Sequence, residues 1–384
     1  MRFGAFHPNT GDVSMPIAAR LSAVALAALL SACGGGESSV TAVKVAGDSL
    51  ADGGTFGFKF TVQGPSLNAT RIWVDHVADA VGVGPLCPRN QATSPDGRTV
   101  AQNPNATSCT NHAVGGARIN VSGTAGDATP FSVLQQLRNL GQQSYTATDV
   151  LLVDGGGNDA ADLLTAFLAA RTDGGASYVA LLQELLSAAD VQAAAAAGSQ
   201  GLAQAGGQYM MALADALVNT LTTEAFNKGA RRVVVLTVPD ITRTPRFQAL
   251  LAAIRQSQGE AAATQVATVA NAWVQAFNLR LSQRLAGDAR VALVDFYAAL
   301  NAWLANPAQF GLTNTSTPVC PATGTDSQGF PTYAIHLCTE AVAAANVGPN
   351  WNTYVFSDNF HGTPRTNQLM GQAVVEAMRA RGWL

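Results

Sequence analysis

The chain has 384 residues, 48% of them hydrophobic and only 12% charged, with a formal net charge of −3. That charged share is about half the ~25% of an average globular protein. No basic surface recommends a nucleic acid as partner and no acidic run marks a disordered tail, while length and apolar content suffice for one large core.

At the N-terminus, Arg20 precedes the apolar run Leu21–Leu30, which is too short to span a bilayer as a stable helix. It ends in Leu30-Ser31-Ala32-Cys33, which resembles the lipobox of bacterial lipoproteins. Residues 1–32 therefore read as a lipoprotein-type signal peptide, Cys33 as the lipidated residue, and 33–40, Gly- and Ser-rich, as a flexible tether. Met15 is a second candidate start. The expected location is the cell envelope, with a lipid anchor in a membrane. The outer membrane is favoured, because Gly34 is not the Asp that commonly retains such proteins at the inner one. A simple cleaved signal, giving a periplasmic or secreted protein, is the alternative.

Four near-continuous apolar runs, at 41–47, 150–154, 232–238 and 291–296, have the character of parallel strands covered on both faces. Helical patterns occupy 71–81, 131–140, 178–189, 208–228 and 265–284, and 366–379 supplies the last helix. Such alternation predicts right-handed crossovers and a doubly wound parallel sheet, an α/β/α sandwich over residues 41–384. Active sites in such sheets lie beyond the carboxyl ends of the strands. Residues 190–207, Ala-rich and low in complexity, read as a helix extension and loop, with a flap over the cleft as the alternative.

With Cys33 set aside, Cys87, Cys109, Cys320 and Cys338 remain, and an even number in an exported chain reads as disulfides. Three connectivities are open. The sequence-local pairing, Cys87–Cys109 with Cys320–Cys338, is favoured, each closing a loop of about 20 residues and contributing roughly 3 kcal/mol in the chain-entropy model. A metal site is the competing account, but no Cys-x-x-Cys or His-x-x-x-His spacing supports it, and no metal or other cofactor is expected.

Two motifs at opposite ends of the chain carry the chemistry. Gly47-Asp48-Ser49-Leu50 follows the first apolar run, and Ser357-Asp358-Asn359-Phe360-His361 precedes the last helix. A hydroxyl needs an imidazole to take its proton, and the imidazole needs a carboxylate to fix its tautomer and stabilise its cation. Ser49, His361 and Asp358 supply those groups. Of five histidines, His7 lies in the export region, His76 in a helix and His336 between two cysteines. His112 neighbours a glycine turn and is a candidate for the cleft lining, but His361 alone has a carboxylate three residues earlier in a loop before a helix. A helix cap is the open alternative for Ser49 and for Asp358, and a simple turn for Gly155-Gly156-Gly157-Asn158-Asp159.

Together, Gly47–Leu50, Asn111–Arg118, Gly155–Asp159 and Asp358-x-x-His361 resemble the four ordered blocks of the GDSL esterase/lipase family, also called SGNH hydrolases. The Ser, Gly, Asn and His of that name match Ser49, Gly116, Asn158 and His361. Val238–Pro245 resembles the family's Pro-Asp-x-x-x-Thr-Pro segment, and 306–312 a late loop of bacterial lipase members. The resemblance implies a mainly five-stranded flavodoxin-like sheet, with a further strand near 112–117. It also implies an oxyanion hole from Ser49, Gly116 and Asn158. Two departures stand out: Gly362-Thr363-Pro364 follows His361 where relatives commonly have Pro directly, and Asp154 occupies a position where they often carry Asn.

No Gly-x-Ser-x-Gly elbow, dinucleotide fingerprint, phosphate-binding loop or His-Glu-x-x-His is present. A serine hydrolase of acyl esters is the leading expectation. Carbohydrate O-acetylesterase and phospholipase action on the same site, and a non-catalytic envelope-binding lipoprotein, stay open.

Overall fold

The computed structural model describes residues 40–122 and 126–384. The expected signal peptide, Cys33 and all of the tether but Val40 lie outside the described residues. In chain order the elements are β1 (Ala42–Ala46), α1 (Trp73–Ala80), β2 (Asn90–Ala92), β3 (Val100–Gln102), α2 (Val133–Leu140), β4 (Asp149–Val153), α3 (Gly157–Asp173), α4 (Ala176–Gln183), α5 (Ala188–Ala196) and α6 (Gly198–Glu224). There follow β5 (Val233–Leu236), α7 (Pro245–Gln258), α8 (Glu260–Leu285), β6 (Val291–Val294), α9 (Phe296–Ala305), β7 (Gly324–Thr325), β8 (Pro331–Thr332), α10 (Glu340–Val347) and α11 (Pro364–Ala380).

Every residue of β4 and β5 is buried, as continuous apolar runs require when both faces of a sheet are covered. The central sheet runs β1-β4-β5-β6, all parallel. Alternate side chains leave it in opposite directions. Leu151, Val153, Val233 and Val235 join one core with α2, α3, α6 and α8. Val150, Leu152, Val234 and Leu236 join the other with α1, α9 and α11. The result is a three-layer α/β/α sandwich.

The sheet has four regular strands where a mainly five-stranded one was expected. On the free side of β1, Thr110 O and Gly47 O accept from Val45 N and Val114 N at 3.0 and 3.2 Å, and His112 N donates to Val45 O at 2.8 Å. That segment forms only isolated parallel bridges, Asn111 with Val45 and with Pro88. Its polar side chains are the reason: Asn111 donates to Ala51 O and accepts from Ala113 N, which diverts the backbone from a ladder. The order is nonetheless 110–114, β1, β4, β5, β6. It reverses direction at β1, which places the switch point of the sheet at the β1 carboxyl end.

Residues 190–207 fold as helix, in α5 and the first turns of α6, with a break at Ala197-Gly198. Alanine is the best helix former, so low complexity here means helix and not loop. Disulfides join Cys87 to Cys109 and Cys320 to Cys338, with Cα separations of 5.2 and 5.6 Å.

Candidate active site

Ser49 stands one turn past β1, within Asp48–Ala51, and no helix follows until α1, so it caps nothing. Gln136, fully buried on α2, accepts from Gly47 N at 2.7 Å and donates to Pro130 O at 2.9 Å. Asp48 Oδ1 accepts from Leu50 N at 3.0 Å. These bonds fix the turn that presents the serine. Gly47 is obligatory for a steric reason, since a Cβ there would lie 1.6 Å from Asp154 Oδ1.

The loop before α11 brings His361 to meet it. His361 Nε2 lies 2.8 Å from Ser49 Oγ, and His361 Nδ1 lies 2.7 Å from Asp358 Oδ2. Asp358 Oδ1 accepts from the backbone N–H of Phe360 and of His361 at 2.8 and 2.7 Å. The Gly362 that separates His361 from Pro364 leaves the loop firmly held, because its carbonyl accepts from Thr61 Oγ1, Ser357 Oγ and Asn367 Nδ2 at 2.9, 3.0 and 3.1 Å. Thr363 caps α11 through Thr366 N, with Pro364 in the first turn.

Burial disfavours charge on both partners, but their mutual attraction outweighs it. Asp358 is held below the usual carboxylate range by the His361 cation and the hydrogen bonds it accepts. His361 is raised above 6.5, because Asp358, with a smaller contribution from Asp48, overcomes the cost of burial.

Gly116 and Asn158 converge on the serine from the next two connections. Gly116 adopts φ +79°, a left-handed conformation natural for glycine. Among the described residues, neither the Ser49 nor the Gly116 backbone N–H meets an acceptor. Asn158 occupies the first turn of α3, whose N-terminus brings the positive end of the helix dipole to the cleft. Its amide donates to Ala117 O at 2.9 Å and makes only a long contact, 3.5 Å, with Asp48 Oδ2. Asn158 lines the cleft that also holds Ser49 and His361.

Several further residues support the site. Asp52, fully buried, accepts from Gly54 N, Thr55 N and Gly115 N at 2.9, 2.7 and 2.7 Å, tying the turn after Ser49 to the turn of Gly116. Burial pushes its carboxyl up to about 6. Asp159 accepts from Ile119 N and Asn120 N at 3.0 and 2.8 Å, and burial pushes it up to about 7. Arg118 donates to Gly116 O and bridges to Asp162 on α3. Asp52 and Gln136 lie outside the motif blocks, whereas Arg118 and Asp159 close two of them.

Asp154, at the end of β4, is buried, and neither of its oxygens meets a nitrogen or hydroxyl donor. Its neighbour is the carboxyl of Asp48. Burial and then the Asp48 charge push Asp154 well above the usual carboxylate range. Two adjacent buried carboxyls with no cation between them are more stable sharing one proton than carrying two charges.

His112 is buried in the segment beside β1, with its pKa lowered to about 4 by burial and Arg89, and it does not line the cleft. His76 lies in the α1–α11 contact and His336 against Phe58. The Pro239–Pro245 stretch is a support: Asp240 accepts from Thr242 N at 3.1 Å, and Thr244 caps α7. Among the described residues no group of three or more His, Cys, Asp or Glu is arranged to hold a metal ion.

A doubly wound α/β/α sandwich with a serine, an asparagine and a histidine gathered at its switch point is the SGNH hydrolase fold. The family model described as GDSL-like lipase/acylhydrolase matches residues 43–374, and the chain belongs to that family of acyl hydrolases. No curated protein matches the chain.

Proposed function

We propose that the chain hydrolyses carboxylic acyl esters through an acyl-enzyme on Ser49. The observation that carries this reading is the unbroken chain Ser49 Oγ, His361 and Asp358, with contacts of 2.8 and 2.7 Å. Ser49 Oγ attacks the ester carbonyl as His361 Nε2 takes its proton. The carbonyl oxygen becomes an oxyanion that accepts from Ser49 N, Gly116 N and Asn158 Nδ2. Collapse breaks the bond to the alkoxy oxygen, which leaves as the alcohol with the proton from His361. Water, deprotonated by the same imidazole, then releases the carboxylic acid and restores Ser49.

The test is turnover of p-nitrophenyl esters together with labelling by a serine-directed phosphonate. Ser49→Ala and His361→Ala should each abolish turnover in folded protein, because nucleophile and base act as a unit. Asn158→Ala should lower kcat by about 10²–10³ with little change in KM. A Ser49→Ala protein that kept a tenth of wild-type activity would sink the covalent mechanism.

The anchoring is likewise a proposal: lipidation of Cys33 holds the enzyme at the envelope membrane.

A further inference from the structure

Two hydrogen bonds hold the His361 imidazole by its edges, Nδ1 to Asp358 Oδ2 and Nε2 to Ser49 Oγ, at 2.7 and 2.8 Å. They fix the line of the ring but not its rotation about that line. A contact on the face removes that freedom, and Phe60 supplies it. Its ring centre lies 4.9 Å from that of His361 at an interplanar angle of 39°, and it lines the cleft that holds Ser49. Phe360, the neighbouring ring, is 6.3 Å away, edge-on at 69° and 46% exposed, so it covers the imidazole far less.

Phe60 belongs to the connection between β1 and α1, where no helix or strand fixes the backbone, yet the residues on both sides of it are pinned. Lys59 Nζ donates to Asp75 Oδ2 on α1 at 2.8 Å, with both side chains buried. A buried ion pair adds little stability over an apolar pair; what it does here is fix where the chain runs. Gln63 Nε2 donates to Lys59 O and Thr61 O, both at 2.6 Å. Thr61 Oγ1 donates to Gly362 O, directly after His361, at 2.9 Å. Phe58 and Phe56 pack against the ring at centroid distances of 5.2 and 6.0 Å. Gly115 leaves room for it, since a Cβ there would lie 2.3 Å from Phe60 Cζ.

We propose that Phe60 is a positioning residue for the reaction: its ring holds the imidazole in line between Ser49 and Asp358 and stabilises the imidazolium that forms when Ser49 gives up its proton. The proposal rests on the ester-hydrolase reading above. An aromatic face attracts a cation within about 6 Å of its centre, and more strongly where water is excluded. The charges acting on His361 are Asp358 of its own loop and Asp48 of the turn after β1. Lys59, beside Phe60 in sequence, is engaged by Asp75. Phe60 adds no charge of its own, and its face favours the imidazolium over the neutral ring.

Phe60→Leu and Phe60→Met keep an apolar side chain in that space but remove the aromatic face. With p-nitrophenyl butyrate, each should lower kcat by about five- to tenfold while KM changes by less than about twofold. The acid limb of kcat/KM should move down by about half a pH unit to one unit. That sign separates a positioning ring from a mere cover. Loss of a face that favours the cation lowers the pH at which His361 protonates, whereas admission of water to a buried imidazole raises it. A rise in KM alone, or an acid limb that stays or moves up, overturns the proposal while leaving ester hydrolysis intact. Should neither variant fold, proton NMR of the wild type decides. Ring current from Phe60 should move a carbon-bound proton of His361 upfield, and an unshifted resonance overturns the contact. Absence of wild-type turnover on every ester, with no phosphonate labelling of Ser49, overturns the ester-hydrolase reading itself and the role of Phe60 with it.

Discussion

Asp48 and Asp154 set two carboxyls side by side beneath the nucleophile turn, and one proton between them keeps that arrangement tolerable. A neutral Asp154 is the electronic counterpart of asparagine, which can offer an N–H to Asp48 where the acid offers an O–H. Both groups are raised, by burial first and, for Asp154, by the Asp48 charge next. A carboxyl whose folded pKa is raised contributes stability that is present below its unfolded pKa and lost as pH rises through the folded value. Asp154→Asn has no such loss. Its melting temperature should therefore exceed that of the wild type at about pH 8 and converge on it near about pH 4. Calorimetry across that range checks the sign; a gap that widened toward acid would refute the shared proton. Activity at neutral pH should be retained, whereas Asp154→Ala, which removes the shared proton's second carboxyl from Asp48, should lose much of it.

His361 gives a second prediction at the same scale. It must be neutral at Nε2 to accept the serine proton, and its pKa is raised above 6.5, Asp358 outweighing burial. The value of kcat/KM should therefore fall as pH falls through a pKa higher than that of free imidazole. Asp358→Asn removes the main raising influence, so the acid limb of the pH–rate profile should move to lower pH. The loss of rate should be smaller than for Ser49→Ala, because Asp358 orients and does not react.

Among elements, the 321–337 segment illustrates how far the cleft depends on a covalent tie. The bond from Cys320 to Cys338 closes it with a sequence separation of 18. Cys320 N donates to Ser357 O at 2.9 Å, next to Asp358. Within the segment, Asp326 pairs with Arg246 at 2.7 Å, and the Arg246 guanidinium lies 4.3 Å from the Phe330 ring centre, all three lining the cleft. Short strands β7 and β8, of two residues each, provide little cohesion of their own. Replacing both cysteines with serine should lower the unfolding free energy by roughly 3 kcal/mol in the chain-entropy model. Denaturant unfolding of the oxidised wild type against the double variant measures it.

The elements also show what kind of information a sequence carries. Four strands were legible because buried parallel strands are uninterrupted apolar runs, Ser49 because its short motif follows the first of them, and His361 because Asp358 precedes it by three residues in the loop before the last helix. The segment around Asn111 was not legible as irregular, since side-chain bonds to Ala51 and Ala113 override its place beside β1. Gly155–Asp159 has the composition of a turn, and Gly156 does take a left-handed conformation, yet α3 begins immediately after it. Asp52 and Gln136 were invisible for a topological reason. They serve backbone N–H groups 63 and 89 residues away in sequence, and no local pattern records such a partner.

At the scale of the whole molecule, the N-terminal sequence underlies the proposal that the enzyme works beside a membrane. Among the described residues no helix is long and apolar enough to cross one, and the attachment proposed is through Cys33 and the Gly-rich stretch after it. Each buried acyl methylene contributes roughly 0.8 kcal/mol, and the several chains of a bacterial lipoprotein anchor stably where one chain is marginal. Cells expressing the protein and fed labelled palmitate should incorporate the label, and Cys33→Ser should abolish incorporation while moving activity from the membrane to the soluble fraction. Label retained by Cys33→Ser, or absent from the wild type, sinks the anchor and leaves the catalytic proposal standing, since residues 40–384 contain the whole candidate site.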